Sequence, residues 1–366
     1  MKKINFNQLD RGYLKFKDEY DKAAINVLES GWYIMGNQGD KFENEFANFT
    51  GSKYCVGLNS GLDALILAFR ALCIGEGDEV IVPANTYIAS VIGITENRAT
   101  PIFAEPDEYY NINSESIEEK ITEKTKAILV VHLYGQAANM KDIRSMADKY
   151  NLYLIEDCAQ SHGAYFEEMM SGKWGDIGCF SFYPTKNIGA FGDSGAIVTD
   201  SEKIYEKMKM LRNYGSRVKY QNEILGVNSR LDEIQAALLR VKLSHYADIR
   251  KDRENIANRY LKGITNKNII LPTIREGSEH VWHLFVVRVS NRKKLQNFLT
   301  DNGISTQVHY PIPPHLSEAY GYLGYQIGDF PIAEGFSRTL ISLPLYEGMT
   351  DEEVDYVINT INRYED

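Results

Sequence analysis

Ala127-Ile-Leu-Val-Val-His-Leu133, then Met140-Lys-Asp-Ile-Arg-Ser-Met-Ala-Asp-Lys149, then Leu152-Tyr-Leu-Ile-Glu-Asp157: the reading of this stretch decides the fold. The two outer runs are short and β-rich, apolar through Ala127–Val131 and Leu152–Ile155 and bounded by turn or charged residues. Runs of that length suit parallel strands buried on both faces. The middle segment carries helical periodicity. Working outward, Val80-Ile-Val repeats the strand pattern, and Gly61–Ala71 and Arg230–Ile249 repeat the helical one. Alternation of this kind from about residue 15 to 245 predicts an α/β domain around a mainly parallel sheet. Beyond residue 250 the texture changes. An amphipathic helix (Arg250–Lys262) precedes an alternating strand (Val281–Val289), a helix (Lys293–Asn302) and a loop rich in Pro and His. A last helix opens at Thr350-Asp-Glu-Glu, the spelling of a capping box. These elements predict a large α/β domain over residues 15–249 and a small α+β domain over 250–366, with residues 1–14 packing on the latter.

The 366 residues are 44% apolar, 25% charged and 11% aromatic, so disordered and fibrous classes are excluded. The longest uncharged run, Val80–Thr95, contains Pro83, Asn85, Thr86 and Ser90; it is too short and too polar to span a bilayer. Met1-Lys-Lys-Ile-Asn-Phe-Asn has no apolar stretch behind its lysines, so no signal peptide is expected and the protein reads as cytoplasmic. A formal charge of −10 gives no global attraction for nucleic acid or an anionic membrane. Cys55, Cys73, Cys158 and Cys179 form no C-x-x-C pair. All four read as small buried hydrophobes in a reducing compartment.

Walker A, G-x-G-x-x-G, G-x-S-x-G and H-E-x-x-H motifs are all absent. His280 and His283 have a metal-like gap, but residues three apart at the start of a strand face opposite ways, so no metal site is expected. Three other segments carry chemistry. Asn59-Ser60-Gly61 ends a strand and opens a helix, where Ser60, Gly61 and Leu62 are placed to cradle a phosphate; taken alone, the same spelling also serves as a plain cap. Asp157 stands at the C-terminal end of its strand, where α/β folds bind ligands and a carboxylate can pair with a cationic ring nitrogen; alone, it reads equally as a cap. Lys186 follows the apolar strand Cys179-Phe-Ser-Phe-Tyr and precedes a glycine-rich stretch, a setting for a desolvated amine that forms a Schiff base. An anion cradle, a ring-nitrogen partner and an imine-forming amine are together what pyridoxal phosphate requires.

In these segments the sequence resembles the DegT/DnrJ/EryC1/StrS family of sugar aminotransferases. The strongest blocks are Val82-Pro-Ala-Asn-Thr-Tyr87, Ile155-Glu-Asp-Cys-Ala-Gln-Ser-His162-Gly163, Ser181-Phe-Tyr-Pro-Thr-Lys186 and Asn228-Ser-Arg-Leu-Asp-Glu-Ile-Gln235; the likeness runs from Gly31-Trp-Tyr-Ile-Met-Gly36 to the C-terminus. It implies the fold-type I architecture of aspartate aminotransferase. It also implies Lys186 as the Schiff-base lysine, Asp157 on the pyridine nitrogen and Gln160 on the ring hydroxyl. Ser60, Gly61, Leu62 and Ser181 then bind the phosphate, Tyr87 stacks on the ring, and Asn228 reaches the cofactor phosphate of the other subunit. The last role implies a homodimer with shared active sites. Tyr33, Tyr183, Lys219, His309 and Tyr310 match positions lining the sugar nucleotide site; Lys219 reads equally as a solvated loop lysine, and His162 and His315 read as structural. The stretch His309-Tyr-Pro-Ile-Pro-Pro-His-Leu-Ser-Glu-Ala-Tyr320 is similar to the branch acting on dTDP-linked 3-keto-6-deoxyhexoses with L-glutamate as donor, which make a sugar for lipopolysaccharide, an S-layer glycan or a secondary metabolite. A 4-keto substrate ranks second. Dehydratases of the family carry His at the lysine position, and a non-catalytic regulator would be marked by loss of the Lys or the Asp. This chain keeps both.

Overall fold

The structure, a computed structural model, describes residues 2–366. Seven strands build one sheet: β1 (Tyr54–Leu58), β2 (Glu79–Pro83), β3 (Thr100–Ala104), β4 (Thr125–Val131), β5 (Tyr153–Asp157), β6 (Ile177–Ser181) and β7 (Gly195–Thr199). Their order is β1-β7-β6-β5-β4-β2-β3. Strands β2 to β6 pair in parallel, and β7 runs antiparallel to both of its neighbours. Successive side chains point to opposite faces, so each strand feeds two apolar layers. Val80, Val82, Leu129 and Ile155 lie in one layer with Leu65 and Phe69 of the helix Gly61–Ala71. Ile81, Ile128, Val130 and Leu154 lie in the other, beneath Met140, Ile143 and Ala147 of the helix Met140–Tyr150. Each such side chain contributes about 1.5–3 kcal/mol on leaving water, which is why the apolar runs are legible as strands covered on both sides.

A separate apolar cluster joins Ile4 to Tyr260, Phe285, Leu299, Val357 and Ile361. It is held by a two-stranded antiparallel ladder, Phe285–Arg288 with Leu340–Leu343, and by a backbone bridge between Ile4 and Ile304. Tyr320, Phe330 and Ala333 pack instead into a layer of the large sheet. Among the described residues no helix is long and apolar enough to cross a membrane.

Three expectations need correction. The helix expected over Arg230–Ile249 is two, Glu233–Ser244 and Tyr246–Gly263. His245 breaks them because its ring stacks on Phe16 at 3.8 Å and bonds Glu19 at 3.0 Å, tertiary pulls that local periodicity does not contain. The strand expected over Val281–Val289 shortens to Phe285–Arg288. Trp282 has a positive φ of 51°, and the amides of Val281 and Leu284 donate to Gly135 and Tyr134 in the loop after β4. Cys55, Cys158 and Cys179 are buried as expected, but Cys73 is exposed, at the turn following the helix Gly61–Ala71, with Lys207 Nζ 2.9 Å from its sulfur.

Candidate active site

The parallel strands deliver their C-terminal ends to one edge of the sheet, and a cavity of about 720 Å³ opens there. Its floor is the start of the helix Gly61–Ala71. Ser60 caps that helix, its hydroxyl accepting from Asp63 N at 3.0 Å. The amides of Gly61 and Leu62 have no acceptor among the described residues, so the helix end presents free N–H groups with the positive end of its dipole. The turn sits hard against the sheet: a Cβ at Gly61 would fall 2.5 Å from Ser181 Cβ, and one at Gly195 would fall 2.3 Å from the Ser60 carbonyl carbon. Only glycine permits that approach, and it brings Ser181 beside the free amides.

Asp157 ends β5 inside the cavity wall and is 6% exposed. Its Oδ2 accepts from Ser90 Oγ at 2.7 Å and its Oδ1 from Ala159 N at 3.1 Å. Burial pushes its pKa up, and these two hydrogen bonds together with the charge of Lys186 act against that. Lys186, half-buried, follows β6 in a turn closed by its own N–H to Tyr183 O at 2.8 Å. Its Nζ has no hydrogen-bond or ion-pair partner among the described residues. Desolvation brings its pKa down to about 8, with Asp157 opposing the shift. Beside Asp157, the neighbouring Glu156 is tied off completely. Its carboxylate accepts from Gly172 N at 2.8 Å, Gly175 N at 2.6 Å and His132 Nε2 at 2.8 Å, and His132 Nδ1 accepts from Ala138 N at 3.1 Å. Although His132, Glu156 and Cys158 cluster closely enough to suggest a metal, those bonds occupy the lone pairs a metal needs. They stitch the ends of β4 and β5 together instead.

Gln160 is fixed by its Oε1, which accepts from Tyr134 N at 2.6 Å, so its Nε2 donates into the cavity, to Tyr310 Oη at 3.0 Å. Tyr310 lies 5.1 Å from the ring of Tyr87. His309 is lowered to about 4 by burial, and its Nδ1 lies 2.8 Å from Ser342 Oγ. Of the residues singled out in the sequence, Ser60, Gly61, Leu62, Tyr87, Asp157, Gln160, Ser181, Tyr183, Lys186, His309 and Tyr310 all line this one cavity. Tyr33, Lys219 and Asn228 lie outside it and are exposed. Asn228 adjoins Ser229, which bonds Asp63 and Asn59 at the floor of the cavity. His162 is buried, with its pKa lowered to about 3, and His315 is buried beside Glu334. Sequence reasoning missed Thr86, Ser90, Asp193, His283 and Gln307 on the wall. For Ser90 a signal existed, a polar residue inside the apolar run Ile88–Thr95; His283 gave only a misleading metal-like spacing.

The sequence profile of the DegT/DnrJ/EryC1/StrS aminotransferase family matches residues 15–362. The chain belongs to that family. It is 51% identical to the dTDP-3-amino-3,6-dideoxy-alpha-D-galactopyranose transaminase of Aneurinibacillus thermoaerophilus, over 99% of each chain. The DesV structure from S. venezuelae, in complex with a ketimine intermediate, superposes with a TM-score of 0.98 at 42% identity, with all of both chains covered. The structure of ntda from Bacillus subtilis, with bound cofactor PMP, gives a TM-score of 0.91 at 31% identity, covering 99% of this chain and 85% of that one. The architecture is therefore that of the family's aminotransferases, as the resemblance implied, and the chain is an enzyme of this class.

Proposed function

We propose that this aminotransferase uses pyridoxal phosphate to convert a dTDP-linked 3-keto-6-deoxyhexose to the 3-amino-3,6-dideoxyhexose, with L-glutamate as amino donor. The observation that carries the reading is one cavity holding a helix N-terminus with free amides, a buried carboxylate and a lysine amine near pKa 8. That donor set fits the cofactor: amides and serine hydroxyls for phosphate, Asp157 for a protonated ring nitrogen, Lys186 for the aldehyde carbon. When bound, the cofactor supplies the carbonyl and the electron sink that transamination needs. Asp157 holds the proton on the ring nitrogen, Gln160 offers its fixed Nε2 to the ring hydroxyl, and Tyr87 covers a ring face. Lys186 Nζ, once free, would take the proton from the donor's Cα as general base and return it at the other end of the same π-system as general acid.

Substrate specificity at C3 draws support from the 51% identical relative, whose name specifies a 3-amino-3,6-dideoxy sugar. Among the described residues of the cavity wall, Lys186 is the only Lys or Arg, so a pyrophosphate needs a cation from elsewhere. Lys219 of a second subunit, with Asn228 and Tyr33, is the proposed source, which makes the working unit a homodimer with shared sites. Residues 15–249 form the cofactor domain in this reading, and residues 250–366 form the smaller one, which supplies His309 and Tyr310. Nucleotide-sugar chemistry and free thiols suit the cytoplasm, upstream of a cell-surface glycan or a secondary metabolite.

The test is spectroscopic. Glutamate should abolish the visible absorption of the holoenzyme and the keto sugar should restore it. Lys186→Ala should show neither change and should lower turnover by about 10⁴-fold or more, since proton transfer and covalent chemistry both need the amine. Turnover by folded Lys186→Ala at the wild-type rate would refute the assignment.

A further inference from the structure

We propose that Ser90, backed by Thr86, is a positioning residue that holds the Asp157 carboxylate in one orientation and in its charged form, ready for the ring nitrogen of the cofactor; the inference rests on the reading of Asp157 given above. Three side chains form a line. Thr86 Oγ1 lies 2.8 Å from Ser90 Oγ, and Ser90 Oγ lies 2.7 Å from Asp157 Oδ2. Thr86 and Ser90 are each 1% exposed, so no bulk water serves either hydroxyl. Counting hydrogens fixes the direction. An ionised carboxylate only accepts, and each hydroxyl has one hydrogen. The Ser90 hydrogen therefore goes to Asp157, and Ser90 Oγ receives the Thr86 hydrogen. The polarity of the line suits an anion at its end, and each bond strengthens the next.

The helix Ile88–Thr95 is otherwise strongly apolar, with Val91 and Ile94 in the core layer. Ser90 stands in its first turn, with its N–H bonded to Tyr87 O at 3.1 Å. A serine whose role was to cap a helix would bond back to its own backbone. This one reaches across to a different element, onto the carboxylate at the end of β5. Burial alone favours a neutral Asp157, and a neutral carboxyl group cannot pair ionically with a pyridinium. The other titratable groups around the carboxylate are few. Lys186 lies across the cavity and His132 at the end of β4, its ring committed to Glu156. Cys158, Cys179 and Tyr310 are kept protonated by burial. Among the described residues, Ser90 and Ala159 N are the two groups that donate directly to the Asp157 carboxylate, and Ser90 is the one that substitution can remove.

The experiment uses apoenzyme of the full chain, prepared as Ser90→Ala, Ser90→Thr, Asp157→Asn and the double variant Ser90→Ala/Asp157→Asn. Two quantities are read: the dissociation constant of pyridoxal phosphate, and the titration midpoint of Asp157 by carboxyl NMR with labelled aspartate. Ser90→Ala should weaken cofactor binding roughly tenfold, the size of one hydrogen bond to a charged group, and should raise the Asp157 midpoint. Ser90→Thr, which keeps the hydroxyl, should restore both. In the Asp157→Asn background, Ser90→Ala should add nothing, because the anion it serves is gone. Wild-type affinity and an unmoved midpoint in Ser90→Ala would overturn the proposal. Unchanged affinity in Asp157→Asn would overturn the reading of Asp157 itself, a distinct result. If Ser90→Ala fails to fold, Thr86→Val decides: it should shift both quantities in the same direction by a smaller factor, and no shift would overturn the proposal.

Discussion

At the scale of single residues, the proposed mechanism rests mostly on one amine, and its environment sets a pH dependence. An ordinary lysine stays protonated until about pH 10.5, whereas desolvation brings Lys186 to about 8. The sign follows directly: only the neutral amine attacks an aldehyde, so capture of pyridoxal phosphate by apoenzyme should rise about tenfold per pH unit below 8 and level off above it. Trapping the adduct with borohydride at a series of pH values, and locating it at Lys186 by mass spectrometry, checks this. A rate still climbing beyond pH 10 would mean that the amine is solvated. Lys186 and Asp157 were legible from the sequence because a lysine after an apolar strand and a carboxylate at a strand end are local patterns. Ser90 was marked only as a polar residue in an apolar run; its pairing with Asp157 was not legible, because the two lie 67 positions apart and only the packing of a helix on β5 brings them together.

Secondary-structure elements reached by the sequence reading were those whose ends are marked locally. The helix Gly61–Ala71 carries its own Ser60 cap, and the last helix carries Thr350 and Glu353 in the capping box that its spelling predicted. Elements that end for tertiary reasons escaped it, as at His245, pulled by Phe16 and Glu19, and at Trp282, held by the loop after β4. The last helix offers a direct measurement. Thr350 Oγ1 accepts from Glu353 N at 3.2 Å, and Arg11 grips Glu353 at 2.6 and 2.7 Å. Thr350→Ala should cost about 1 kcal/mol in denaturant unfolding. Arg11 holds the Glu353 carboxyl at about 2, against an ordinary 4.5. A carboxylate with a depressed folded pKa stabilises fully above its unfolded value, and that contribution fades as pH falls from about 4.5 towards 2. Glu353→Gln should therefore lower stability at pH 7 and flatten the loss on acidification; an acid limb identical to wild type would remove Glu353 from the account.

Across the whole molecule, the α/β order follows from periodicity, and a separate apolar cluster gathers residues from both ends of the chain, but the completeness of the proposed site does not follow, because Lys219, Asn228 and Tyr33 stand away from the cavity. The chain also exposes Trp32, Met35, Tyr220 and Leu225, the last at 92%, beside the two segments that hold Tyr33, Lys219 and Asn228. The second subunit proposed above would cover these side chains and account for both. In the proposed dimer, Leu225→Glu should shift the equilibrium towards monomer in sedimentation and lower activity at least tenfold, since a buried charge without a partner costs several kcal/mol; a fully active monomer would contradict the proposed shared site. The central claim, however, is which carbon receives nitrogen. In the proposed reading, remote binding of nucleotide and pyrophosphate would fix the ring that is offered to the cofactor, and His309 and Tyr310, which line the cavity, would bound the space left for the hexose. Purified enzyme with glutamate would be given the dTDP-linked 3-keto-6-deoxyhexose and its 4-keto isomer separately, and the aminated carbon of each product would be located by NMR. The account predicts nitrogen at C3 from the 3-keto sugar, with little product from the isomer; amination at C4 alone would contradict it.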